Sequence, residues 1–305
     1  MTPSGAPDGR EWRMETEAPE QPDVPPSARR PAGAPATRGP LVAAANASFV
    51  DAMKTLVHHV DGAEWHDVGG VFAFATGLPM SLFNGCIAVT DAPSAAVADA
   101  VAWVRGRGTP FGVWIDEEAA PEASAGAARA GLERRPEPYP GMAVRPLPKA
   151  PSPPAGVTVR PVQDAGLSAY YAVQEAAGAP PALARRAIPE GFASDPRVRV
   201  FVAELDGEPV GNAIAIRTGR VVGVYAVGTL PAARRRGVAS AATWACLEAG
   251  RAWGCDVAVL QSSAMALGLY RRMGFETVVP YAVYLPPRPT AKGGGRDSRH
   301  ARAPT

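Results

Sequence analysis

Three guanidinium groups and a glycine, Arg234-Arg235-Arg236-Gly237, stand between the apolar run 221–229 and a stretch, 238–253, whose small apolar residues recur at helical spacing. The order is strand, loop, helix N-terminus. Backbone N–H groups at a helix start lack intrahelical acceptors and lie at the positive end of the helix dipole, so the position binds anions. Gly237 has no side chain to hold a phosphate off that backbone, and the arginines add full charges. Each such term contributes about 0.3 to 1 kcal/mol at an exposed helix end, so several must converge on one multiply charged ligand. A pyrophosphate meets that requirement. An isolated Arg triplet reads as a solvated basic turn; the strand before this one and the helix after it favour phosphate binding.

Further along, Ser263-Ala264-Met265-Ala266-Leu267-Gly268-Leu269-Tyr270-Arg271-Arg272-Met273-Gly274-Phe275 carries one phenol ahead of a Gly-Phe pair. Tyr270 is either a proton donor, which an unperturbed phenol with a pKa near 10 can be at neutral pH, or a half-buried residue packing under Phe275. His58, His59 and His66 lie near Asp61, but the first two are neighbours on an expected helix and diverge, so no metal is expected and surface histidines are the better reading. Arg105-Gly106-Arg107-Gly108 mimics the phosphate pattern in reverse context: it ends a helix and precedes a strand, which makes Gly a helix C-cap.

The elements that position these residues are α/β in kind. Residues 1–43 form an expected disordered tail: nine prolines fall within the first 40 residues, with Trp12 the one aromatic. A first α/β unit, 44–146, reads as a helix near 46–60, strands near 70–76 and 85–90, a helix over 94–104, a strand over 111–115, a helix over 120–132 and a closing strand at 141–146. Asn84-Gly85 reads as a turn inside it. The proline-dense segment 147–156 forbids helix and central strand and is expected to be a semi-rigid linker.

The second unit, 157–286, opens with a strand over 157–161 and helices over 164–177 and 182–190. Three antiparallel strands, 198–205, 209–217 and 221–229, follow as a meander turning at Asp206-Gly207 and Thr218-Gly219. Then come the helix 238–253, a strand over 256–261, a helix over 264–273 and a strand over 277–285. In the first of these helices Val238, Ala242, Ala245 and Ala249 form the expected sheet-facing stripe. The tail 287–305 is polar and Gly-rich, and is expected to be disordered.

Composition narrows the classes. Hydrophobic residues make up 47% and charged residues 20% of the 305, enough to bury sizeable cores. A net charge of +2 and no aromatics interleaved with the Arg triplet argue against nucleic acid as the partner. Cys86, Cys246 and Cys255 form no CxxC pair and no disulfide framework, the N-terminus lacks an apolar signal region, and no apolar run reaches bilayer length. A cytoplasmic protein without a membrane partner is the expectation.

Arg234-Arg235-Arg236-Gly237-Val238-Ala239 resembles the first signature of the GNAT superfamily of N-acetyltransferases: Arg or Gln, two residues, Gly, one residue, then Gly or Ala. The stretch 263–275 resembles the second, with Ser263 in place of Asn. The resemblance spans roughly residues 155–285. It implies a GNAT fold, a mostly antiparallel central sheet flanked by helices, and acetyl-CoA as co-substrate. Arg234, Arg235, Arg236, Gly237, Val238, Ala239 and Ser240 would hold the pyrophosphate, with Ser263 on the pantetheine arm. Val227, Gly228 and Thr229 would offer backbone groups to the pantetheine and acetyl carbonyl, and a bulge at Gly228 would splay that strand from 256–261 to open a slot. Tyr270 would protonate the departing thiolate as an amine attacks the thioester directly. Glu175, Glu204, Glu208 and Tyr225 stay open as general bases. The first unit resembles a degenerate GNAT half, as in tandem members, so the expected chain is a monomer or a homodimer acting on a small-molecule or peptide amine. The rival reading is a non-catalytic acyl-CoA sensor.

Overall fold

A computed structural model describes residues 35–287. Helix α1 (Pro35–His59) leads into the hairpin β1 (Glu64–Val68) and β2 (Val71–Ala75), then β3 (Asn84–Ala88), α2 (Ser94–Arg105), β4 (Gly112–Ile115), α3 (Ala123–Arg129), the short β5 (Glu133–Arg134) and β6 (Tyr139–Val144). After the proline-dense segment come β7 (Val157–Val162), α4 (Leu167–Ala176), α5 (Pro181–Ala187), α6 (Glu190–Ser194) and the meander β8 (Val198–Leu205), β9 (Glu208–Thr218), β10 (Val221–Thr229). The chain closes with α7 (Val238–Ala252), β11 (Val257–Gln261), α8 (Leu267–Arg272) and β12 (Glu276–Leu285). Both expected turns form, with Asp206, Gly207 and Gly219 at φ 54, 89 and 57, the left-handed geometry that short hairpin loops require.

One sheet runs through the molecule in the order β1-β2-β3-β4-β12-β6-β11-β10-β9-β8-β7, with β5 paired to β12 off this path. The two halves exchange strands. From the N-terminal half, β6 lies between β11 and β12; from the C-terminal half, β12 lies between β4 and β6. Segment 147–156 therefore joins two halves that share a sheet. It is itself held along α7, where the Arg251 guanidinium donates to the carbonyls of Leu147 and Pro148 at 3.3 and 2.9 Å.

Helices cover both faces. α7 and α8 pack on one face of the C-terminal strands, burying Val222, Val224, Ala258 and Leu260 among others. α2 and α3 cover the N-terminal strands. α1 crosses the opposite face of both halves: Phe49 and Val57 join Phe74, Ile87, Val259 and Tyr281 in one core, and Leu56 joins Tyr170, Phe192 and Ile214 in another. A buried polar chain fixes it there, Tyr281 donating to Asn46 Oδ1 at 2.8 Å and Asn46 Nδ2 donating to Asp116 at 2.8 Å.

Three expectations need correction, and one strand was not expected. α1 begins at residue 35, because Leu41, Val42 and Ala44 pack against the sheet, so residues 35–43 are helix and not tail; residues 1–34 and 288–305 lie outside the described residues. β1 had no periodic signature, since Glu64, Trp65, His66 and Asp67 are all exposed on an edge strand. Asn84-Gly85 is strand and not turn. The fully buried Asn84 amide donates to the carbonyls of Leu78, Met80 and Pro110 and accepts from the backbone N–H groups of Thr76 and Gly77. The buried face of α7 is centred on Val238, Ala242, Cys246 and Gly250, with Ala245 and Ala249 at its flank.

Candidate active site

The parallel strands β10 and β11 pair at three positions only, Val221↔Val257, Val222↔Ala258 and Gly223↔Val259. Beyond Gly223 they part. The other neighbour of β10 explains this: its register against β9 slips between Tyr225↔Ile214 and Gly228↔Asn212, which puts one extra residue into β10. Ala226 takes the strain at φ 49, a conformation that costs an L-residue about 1–2 kcal/mol. The expected bulge is thus present, one to two residues before Gly228. Asn212, 2% exposed, holds it by donating to the Ala226 carbonyl while accepting from Gln174 Nε2 at 3.1 Å.

Two polar atoms are left over at the ends of these strands. Thr229 Oγ1 at the end of β10 and Gln261 Nε2 at the end of β11 are buried without a hydrogen-bond partner. Such an atom costs about 1–3 kcal/mol unless a bound group satisfies it.

Beside this opening α7 begins. Gly237 caps it at φ 82 and Val238 is buried, and among the described residues no side chain caps its first-turn N–H groups. Arg234, Arg235 and Arg236 are exposed, with Arg235 at φ 60 and Arg236 3.9 Å from Asp206 Oδ2. The proline-dense segment adds a second reason for glycine at this cap: a Cβ at Gly237 would stand 2.5 Å from Cγ of Pro154. Gly211 of β9 is similarly obligatory, since its Cβ would come within 2.7 Å of Val238 and 2.8 Å of the Gly228 carbonyl.

These features lie within a segment that has known relatives. Residues 167–275 match the model of the Acetyltransferase (GNAT) family. They form a GNAT acetyltransferase domain. Solved structures with the same fold include a GCN5-related N-acetyltransferase from Kribbella flavida, 22% identical over 79% of this chain and 95% of its own, with a TM-score of 0.60. Another from Sphaerobacter thermophilus is 19% identical over 70% of this chain and 76% of its own, with a TM-score of 0.53. A tandem GNAT protein from the clavulanic acid biosynthesis pathway is 15% identical over 81% of this chain and 94% of its own, also with a TM-score of 0.53, so the likeness takes in both halves. No curated protein matches.

In this GNAT domain Tyr270 is buried, its ring edge-on to Phe275 at 5.9 Å. Burial pushes the phenol up to about 12, against a hydrogen bond with Thr243 that lowers it. Thr243 in turn donates to the Ala239 carbonyl at 2.8 Å, which ties the phenol to the first turns of α7. Ser263 is exposed and among the described residues its hydroxyl has no hydrogen-bond partner; the buried serine is Ser262, whose hydroxyl donates to the Ser263 carbonyl at 2.8 Å.

Of the candidate bases, Glu204 pairs with Arg160 at 2.8 Å between β7 and β8, and Glu208 is exposed at the hairpin. Tyr225 donates to the Ser48 carbonyl of α1 at 3.1 Å, and burial raises its pKa. Glu175 follows Gln174 on α4, next to the Asn212 bond. His59 pairs with Asp195 at 3.3 Å and His66 stacks edge-on to Trp103; among the described residues no group of three His, Cys, Asp or Glu side chains could hold a metal. Burial raises the Cys86 and Cys246 thiols, which leaves neither a nucleophile. Among the described residues no helix is long and apolar enough to cross a membrane.

Sequence reasoning missed Asn212 and Gln174. Asn212 did leave a signal, as the one amide in the apolar run Gly211-Asn212-Ala213-Ile214.

Proposed function

We propose that the chain is an acetyl-CoA-dependent N-acetyltransferase that moves an acetyl group directly to an amine. One observation carries this reading: β10 leaves β11 after three pairs, beside an uncapped helix start flanked by three arginines, with a buried polar atom unsatisfied on the last residue of each strand. The residues fit a long thioester bearing a pyrophosphate. Arg234, Arg235, Arg236, Gly237 and the N–H groups of Val238, Ala239 and Ser240 would hold the phosphates, and Val227, Gly228, Thr229 and Ser263 the arm. When bound, the thioester supplies an activated acetyl carbon.

The chain's own residues do the rest. Backbone N–H groups released by the bulge meet the acetyl oxygen as negative charge grows on it. The amine nitrogen forms its bond to the acyl carbon, the carbon–sulfur bond breaks, and the amine gives up a proton. With its pKa near 12, Tyr270 stays protonated, and full transfer to a thiolate of ordinary pKa, about 8.5, is uphill by roughly 5 kcal/mol. Tyr270 therefore stabilises the leaving sulfur as a hydrogen-bond donor, and the proton arrives from solvent or from the attacking amine. The acceptor is a small-molecule or peptide amine.

The engagement of Tyr270 with Thr243 is what favours the alternative, a sensor that binds the thioester without turnover. Calorimetric titration of acetyl-CoA into the wild type and an Arg236→Glu, Gly237→Glu variant, followed by thiol release across amines, separates the two. Binding that is lost in the variant, with turnover on an amine, is the expected result. Binding without turnover favours the sensor; an absence of binding sinks both.

A further inference from the structure

The bulge in β10 is held by side chains, and the way they hold it decides where its backbone points. Pairing with β9 is regular up to Tyr225↔Ile214 and resumes at Gly228↔Asn212, after which the Leu230 N–H donates to the Val210 carbonyl at 2.8 Å. Ala226 and Val227 therefore oppose the single residue Ala213. The residue that a bulge adds has no partner in the ladder. Here the Ala226 carbonyl is taken instead by the side-chain amide of Asn212, which comes from β9. That bond fixes a direction, because in a planar trans peptide the C=O of one residue and the N–H of the next point opposite ways. With the Ala226 carbonyl turned to β9, the Val227 N–H points away from β9, to the side that β11 leaves after Gly223↔Val259. Accepting a hydrogen bond at the carbonyl also polarises the peptide and strengthens its N–H as a donor.

Asn212 needs a second residue to do this, since its amide turned over would set Oδ1 against the Ala226 carbonyl and repel it. Gln174 of α4 supplies the control: its Nε2 donates to Asn212 Oδ1 at 3.1 Å, which leaves Asn212 Nδ2 for Ala226. By alternation Asn212 shares the sheet face of Ile214 and Ile216, on which α4 packs through Tyr170 and Tyr171. The amide has little room to move. A Cβ at Gly228 would stand 3.0 Å from Asn212 Oδ1, and one at the neighbouring Gly211 would stand 2.8 Å from the Gly228 carbonyl.

We infer that Asn212 and Gln174 are positioning residues for acyl transfer: a hydrogen-bond chain from α4 through β9 aims the Val227 N–H at the acyl oxygen of the thioester. The inference rests on the acetyltransferase reading. Both side chains act through the backbone of β10. Disturbing the chain at Gln174 therefore slows the chemical step more than it weakens the hold on the cofactor, whose phosphates belong to the start of α7.

The test uses the full chain, acetyl-CoA with the best amine from the thiol-release screen, and free coenzyme A, which has no acyl oxygen. Gln174→Glu places beside Asn212 a carboxylate that can only accept, so it draws Nδ2 to itself and turns Oδ1 toward Ala226. The expected result is a fall in kcat of about 10- to 100-fold, less than the roughly 100- to 1000-fold cost of removing an oxyanion donor outright. The acetyl-CoA KM, the calorimetric affinity for free coenzyme A and Tm are expected to stay unchanged. Gln174→Lys, which keeps a donor, is expected to retain most of the rate. Wild-type kcat in Gln174→Glu, an equal loss in Gln174→Lys, or a drop in coenzyme A affinity that matches the drop in kcat overturns the inference alone. Acetyl-CoA binding with no turnover by the wild type overturns the enzyme reading, and this inference with it.

Discussion

Both halves contain a strand, a loop, a helix and a parallel strand, and they differ in what happens at the helix start. In the C-terminal half β10 and β11 part after three pairs and α7 begins uncapped. In the N-terminal half β3 and β4 stay zipped through four pairs, Gly85↔Gly112 to Ala88↔Ile115, and no extra residue interrupts β3. Two glycines face each other there, so close that a Cβ at Gly85 would lie 1.9 Å from the Gly112 carbonyl oxygen. The start of α2 is also filled. The Glu122 carboxylate sits 3.5 Å from the Ser94 N–H, and Gly126 of α3 packs against the Ser94 carbonyl. The same order of elements thus gives parted strands beside a basic loop in one half and a closed scaffold in the other. The difference comes from one bulge, one basic loop and one intruding helix.

The comparison can be broken at several points. The largest effect is expected from Gly85→Ala, which forces β3 and β4 apart against backbone: a loss of about 3 kcal/mol or more in denaturant melts. A Gly85→Ala protein of wild-type stability would mean that the zipped strands are not as close as described. Deleting Ala226 removes the extra residue, lets β10 stay in register, and is expected to weaken acetyl-CoA at least about 100-fold by calorimetry while the fold persists. Asn212→Ala leaves the Ala226 carbonyl and Gln174 unsatisfied, an expected cost of about 1–3 kcal/mol with weaker cofactor binding alongside.

Smaller effects sharpen the picture. Asp195, which joins His59 of α1 to the C-terminal half, is raised by burial but lowered more by its hydrogen bonds to Arg197 and His59, to about 2. A depressed carboxyl contributes stability above its unfolded pKa, near 3.9, and loses it as pH falls toward 2. Asp195→Asn is therefore expected to lower Tm modestly at neutral pH, with the gap to wild type closing between about pH 4 and 2. The smallest effect belongs to Glu122→Gln, expected within about 0.5 kcal/mol of wild type, with one acetyl-CoA still bound per chain. A second equivalent of cofactor in that variant would show that Glu122 alone had closed the N-terminal site.

The basic loop, its strand and its helix were legible because they are contiguous: periodicity and a glycine at a left-handed position report on neighbours in the chain. Tyr270 was also legible, but not its bond to Thr243, since helix spacing says nothing of what faces a helix. Gly237 was read as a phosphate contact alone, because nothing local reveals that Pro154 lies against it. The sequence by itself determined the elements of the C-terminal half, its turns and its basic loop with the left-handed glycine, all products of short-range backbone chemistry. Only the tertiary structure decided that β6 and β12 change places and that α1 spans both halves. Strand edges carry the same N–H and C=O groups whatever the side chains, so alternation tells which face a residue takes but not which strand lies beside it.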